Sequence, residues 1–133
     1  MNDWLMYTDA SGEQKNHVAW HEVLKEIAQL NGTTHTMVHA AYGDHVDLVV
    51  AGGNDGLVLV QWKENDPEPP QHFVLAMDQS SDQVRTLSVE GQDAELPIGW
   101  CVPLQLVVPM CGDMLRTCEK ADHEQLFWLN VSE

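Results

Sequence analysis

Apolar residues recur at helical spacing in "NHVAWHEVLKEIAQLNG", where Val18, Trp20, Val23, Leu24, Ile27 and Leu30 share one face. Asn16 stands where an N-cap is expected, and Gly32 follows the last periodic residue, as a C-terminal stop does. The pattern predicts a helix over about residues 17–30. Residues 1–15 are polar and irregular apart from Trp4, Leu5, Met6 and Tyr7, and no element is expected there.

After the helix the period changes to two. "THTMVHAAY" reads as a strand with Thr34, Thr36, Val38 and Ala40 on one face. "HVDLVVA", "LVLVQWK", "HFVLAM" and "VRTLSVE" follow at short spacing, each rich in β-branched or aromatic residues and each ending at a turn signal. "NDPEPP" forbids both helix and ladder and is expected to be an exposed loop. Closely spaced strands with no helix between them pair as an antiparallel meander. "LVLVQW" is apolar on both faces, so it is expected to be central and covered on both sides. "GWCVPLQLVVPMCGDMLRTCEK" reads as a short strand running into a helix, with Leu106, Met110, Met114 and Cys118 four apart. Pro109 is tolerable only near a first turn, which places the helix start near 105–108, and Gly112 weakens the helix by about 1 kcal/mol. "QLFWLNV" supplies a last strand. The expected fold is α+β: a single domain over 1–133, with one antiparallel sheet, an N-terminal helix, and a C-terminal helix followed by a final strand.

The cluster "GGNDG" poses a choice between a phosphate-gripping loop and a turn. A phosphate loop must open a helix whose first N–H groups face the anion. Here a strand follows, so the cluster is expected to be a tight hairpin in which Gly56 or Asn54 supplies the positive φ.

Charge changes the picture most. Twenty-one Asp and Glu oppose six Lys and Arg, a formal net charge of −15. Between Asp44 and Glu95 eleven acidic side chains face only Lys63 and Arg85. Such a surface repels nucleic acid and anionic membranes and attracts basic proteins. No run approaches the roughly 18 apolar residues of a membrane span, and the N-terminus lacks the basic and apolar regions of a signal peptide, so a cytoplasmic location is expected. Cys101, Cys111 and Cys118 are odd in number and form no CxxC, which fits small buried thiols rather than a disulfide framework or zinc site.

Candidate chemistry is sparse. His17 and His21 have a spacing that can hold zinc on a helix, and His35, His39 and Glu22 could join them, although histidine at this spacing is also common on solvated faces. No GxSxG occurs, and no nucleophile has a base placed by spacing. Trp20, Trp62 and Trp128 fall on apolar patterns and read as core; Trp4 and Trp100 read as satellite packing or as interface anchors.

The segments "LVVAGGNDGLVLVQW", "HFVLAM", "VRTLSVEGQDAELP", "CVPLQLVVPMCGDML" and "LFWLNV" together resemble an immunity-protein family of bacterial polymorphic toxin systems, the family often paired with deaminase-type toxins. The resemblance covers about residues 46–130 and leaves the first helix unassigned. It implies a non-catalytic protein, with no cofactor, that binds a cognate toxin. Partner-facing residues in such a family vary with the toxin, so none is carried over by position.

The expected function is therefore that of a cytoplasmic immunity protein, a monomer in a 1:1 complex, covering the basic cleft of a deaminase-like or other nucleic-acid-acting toxin. It is not expected to bind nucleic acid or membrane. The expected toxin-binding residues are Asp55 at the first hairpin, Glu64, Asp66 and Glu68 around the proline loop, and Asp78 and Asp82 after "HFVLAM". Successive hairpins point to opposite sheet ends, so the six cannot form one patch. An acidic secretion chaperone and a small metal enzyme using His17 and His21 remain as alternatives.

Overall fold

The chain opens in β structure. In the computed structural model, which describes residues 3–66, 69–77 and 83–132, strands β1 (Trp4–Thr8) and β2 (Gln14–Val18) form a hairpin where no element was expected. Every position of "WLMY" is apolar, so alternation is invisible in the sequence, yet Trp4 and Met6 are buried while Leu5 and Tyr7 face the other way. Trp4 is fully buried and its Nε1 donates to the Leu115 carbonyl at 3.1 Å, which makes it a core residue and not an interface anchor.

Helix α1 (Trp20–Ala28) is shorter than the periodicity suggests. Asn16 lies in β2, and the N-cap is Ala19, extended and without a side-chain cap. Val23 and Ile27 carry the burial. Gly32 is not the helix stop: Gln29 closes α1, and Gly32 lies further on at φ 76°. A Cβ there would come within 2.6 Å of the Asn54 backbone nitrogen, and one on Gly53 would come within 2.6 Å of the Leu30 carbonyl carbon. The two glycines let the segment after α1 lie backbone against backbone on the "GGNDG" turn. Thr34 and Thr36 are not in a strand either. Asn31 Oδ1 accepts from the N–H groups of Thr33, Thr34 and His35 at 2.9–3.1 Å and holds this segment as a loop.

Strands β3 (Met37–Tyr42), β4 (Val46–Gly52), β5 (Leu57–Glu64) and β6 (Gln71–Ala76) form the expected antiparallel meander. β1 adds beside β3 with β2 outside it, and β10 (Phe127–Asn130) adds beside β6, giving the order β10-β6-β5-β4-β3-β1-β2. The short β9 (Val102–Pro103) pairs with the start of β5. The "GGNDG" cluster is a turn, as expected: a 3₁₀ turn over Asn54–Gly56, with positive φ at Gly52, Gly53, Asp55 and Gly56 and not at Asn54.

"VRTLSVE" does not continue the meander. It is β7 (Val84–Val89), paired with β8 (Gln92–Pro97) in a separate two-stranded sheet. The free side of β6 is taken by β10, and the β7–β8 hairpin folds over one sheet face instead, where fully buried Leu87 packs with Leu59, Val74 and Cys101. Helix α2 (Leu104–Thr117) and α1 cover the opposite face. Pro109 sits inside α2, beyond its first turn, where it removes one backbone hydrogen bond. Gly112 faces α1: a Cβ there would lie 3.2 Å from Leu24 Cδ2, so its helix cost accompanies a close helix–helix approach. β5 is interior, as expected, but only its first half is covered on both faces. Val58, Leu59, Val60 and Trp62 are buried, whereas Gln61 and Lys63 face outward past the end of the β7–β8 hairpin. No described helix is long and apolar enough to cross a membrane.

Candidate functional site

The register of the meander assembles a polar area on the sheet half that β7–β8 leaves bare. In one cross-strand row Asp47 stands opposite Lys63, and Lys63 opposite His72. In the next row His39 stands opposite Val49, and Val49 opposite Gln61. These six residues line a shallow depression of about 230 Å³. Strand alternation puts them there, because the residues between them turn toward the helices and are buried.

At the lower edge of this area two loops are tied together. The Asn65 N–H donates to the His45 carbonyl at 2.8 Å, joining the β5–β6 loop to the β3–β4 turn. His45 Nδ1 donates to Asp66 Oδ2 at 2.7 Å. Asn65 Nδ2 donates to Asp47 Oδ2, and His39 Nε2 to Asp47 Oδ1, each at 3.2 Å. Asp47 and Asp66 thus share one rim, and Asp44, next to His45 in the β3–β4 turn, is exposed as Asp66 is.

The expected binding residues divide. Asp66 lies on the rim. Glu64 turns to the helix side, where it accepts from Trp62 Nε1 at 3.1 Å and lies 4.0 Å from Lys120 Nζ. Lys120 in turn sits 3.5 Å over the Phe73 ring. Glu64 is therefore engaged within the fold. Asp55 is at the other end of the eight-residue β5, roughly 26 Å away at strand rise, and pairs with Arg85 at 2.5 Å. Glu68, Asp78 and Asp82 lie outside the described residues. The structure brings none of Asp55, Glu64 and Asp66 into one patch. It gathers Asp66 instead with His45, Asn65, Asp47 and His39, which the composition of the loops alone did not single out. The available signal was alternation: His39, Asp47, Gln61 and Lys63 are the outward-facing polar positions of strands that are otherwise apolar.

His17 and His21 do not share a helix. His17 is on β2 at φ 58° and His21 is on α1, so the i, i+4 geometry expected of a zinc pair is lost. Glu22 is on the exposed side of α1. His35 is buried well away, with Nδ1 3.8 Å from Asp9 Oδ1 and Nε2 3.7 Å from Glu26 Oε1. Among the described residues no group of three or more His, Cys, Asp or Glu is arranged to hold a metal ion. Cys101 and Cys111 are buried and Cys118 is half-buried. Burial pushes the Cys111 thiol up to about 12, and raises Cys101 against the opposing pull of Arg85. It raises Cys118 too, with Glu119 adding to the effect. All three are poor nucleophiles. Trp62 belongs to the main core, Trp20 and Trp128 pack half-buried against that core, and Trp100 packs on the smaller cluster under β7–β8.

No family model matches the chain, and no characterised protein or solved structure matches it either.

Proposed function

We propose that this chain is an immunity-type protein that captures a basic, nucleic-acid-acting toxin domain, of the deaminase class that the sequence resemblance implies, and covers its substrate cleft. The observation that carries this reading is the rim, where Asp66 is held by His45 and Asp47 by His39 and Asn65, on a chain of net charge −15. A cleft that binds phosphates is lined with Lys and Arg. Carboxylates fixed in this way, Asp47 on β4 and Asp66 on the tied β5–β6 loop, can meet such a cleft with little side-chain ordering cost. Long-range attraction would also raise association toward ~10⁸–10⁹ M⁻¹s⁻¹ at low salt, which suits a protein that must act before damage is done. The proposed contact centres on Asp44, Asp47 and Asp66. Asp55 belongs to the far end of the sheet.

The test is co-expression with a toxin domain encoded beside this chain, followed by co-purification and measurement of toxin turnover with and without the partner. A stable 1:1 complex with lost turnover is the expected result; no complex with any neighbouring product would overturn the proposal. The chaperone alternative has one observation in its favour. A mainly apolar groove of about 560 Å³ lies between the end of α1 and the start of α2, where Ala28, Leu57, Pro103, Leu104 and Val108 line it together with Asp55, Gly56 and Gln105. A dimer by native mass measurement, holding its client unfolded, would favour that reading over capture of a folded domain.

A further inference from the structure

Asp47 stands directly across from Lys63 in the β4–β5 register, the place of a natural ion-pair partner. It does not take that role. Its two oxygens accept from His39 and Asn65, and no ion pair of Lys63 occurs among the described residues. On the other side of Lys63 stands His72, whose imidazole makes no hydrogen bond among the described residues. Lys63 is exposed, His72 is half-buried, and both line the depression on the bare sheet face. Arg85, Arg116 and Lys120 each have a carboxylate partner; Lys15 and Lys25, like Lys63, have no ion pair among the described residues, but only Lys63 lines this depression.

We propose that Lys63 and His72 form a seat for one carboxylate carried on the surface of the bound protein, an Asp or Glu side chain set among basic residues. The seat rests on the capture of a basic partner proposed above and adds the feature that selects among such partners. A single ammonium, that of Lys63, inside a strongly acidic surface cannot be reached easily by a polyanion, because the surrounding carboxylates repel it. A carboxylate flanked by Arg or Lys suffers no such exclusion: its neighbours meet Asp47 and Asp66 while it meets Lys63. The depression is too shallow to enclose a free metabolite, so affinity has to come from the flanking contacts. A basic surface with no carboxylate at the matching point would leave Lys63 facing like charge, which costs affinity and gives specificity.

The seat can be tested on the isolated protein. The probes are two capped tripeptides, arginyl-glutamyl-arginine and its glutamine isostere, with inorganic phosphate as a third ligand, all at fixed ionic strength. Binding is followed through the NMR resonances of Gln61, Lys63 and His72. The glutamyl peptide should bind about tenfold tighter than the glutaminyl one, as loss of a charge-assisted hydrogen bond implies. Lys63→Gln should abolish that preference and Lys63→Arg should keep it. Equal binding of the two peptides, a preference unaltered in Lys63→Gln, or no binding of either would overturn the seat. Tighter binding of phosphate than of the glutamyl peptide would also overturn it, by making the site an anion site for a small ligand. Asp66→Asn should weaken both peptides equally. If it has no effect while the glutamate preference stands, the acidic rim fails and the seat survives.

Discussion

His45 and Asp66 sit on different loops, 21 residues apart in sequence, and their side chains meet at 2.7 Å. Both are largely exposed, at 64% and 66% of the side-chain surface, so the pair contributes little to stability, on the order of 0–1 kcal/mol. Its consequence is positional, since it fixes a carboxylate that would otherwise swing freely. His45→Ala should therefore leave the urea midpoint almost unchanged while slowing association with the captured partner. A large loss of stability in this variant would show that the contact serves the fold instead.

The first strand predicts a larger effect. Trp4 is fully buried and anchored to the carbonyl of Leu115 in α2. Trp4→Ala should cost about 3–5 kcal/mol by cavity formation. Trp4→Phe should cost less, through the lost hydrogen bond and part of the ring volume. Denaturant unfolding of the two variants measures the order.

The glycines at the "GGNDG" turn and in the segment packed on it separate two causes of strain. Gly56 has φ 75° with open space around it, whereas Gly32 has φ 76° and the Asn54 backbone where a Cβ would go. Gly56→Ala should cost about 1–2 kcal/mol from the left-handed conformation alone. Gly32→Ala should cost clearly more, because two backbones would have to part. Equal losses in thermal unfolding would remove the close-approach argument.

Asp9 sets an acid limit. Burial pushes its carboxyl up, but hydrogen bonds from the Thr36 side chain and from the backbone N–H groups of Thr36 and Met37, with His35 nearby, outweigh this and hold it below its ordinary value of 3.8. The charged form is thus favoured in the folded state. The resulting stability is present above the ordinary value and is lost as pH falls through the lowered one. Wild-type stability should drop below about pH 4, and Asp9→Asn, already without this contribution, should show a shallower acid limb in urea titrations across that range. Parallel pH profiles would contradict the assignment.

The meander from Met37 to Ala76 was legible because its strands alternate or carry β-branched runs between clear turn residues. The first hairpin was not, because "WLMY" is apolar throughout and β2, "QKNHV", is an exposed edge strand with only Val18 buried. Helical periodicity ran on into β2 because Val18 is a core residue that happens to fall in phase with Val23 and Ile27. β7 looked like a meander strand by composition. Its separate pairing depends on β10, some 40 residues later, occupying the edge of β6. The site was half legible. Acidic loops are visible in a sequence, but whether a carboxylate is spent internally, as Glu64 is on Trp62, or held outward, as Asp66 is by His45, depends on register.

The most direct measurement is the association rate of this chain with its neighbouring toxin domain, by stopped flow, as a function of salt. Wild type should associate fast and slow steeply as salt rises, and Asp66→Lys combined with Asp44→Lys should lower the low-salt rate at least tenfold and flatten that slope. The same combination leaving both rate and slope unchanged would contradict capture through the acidic rim.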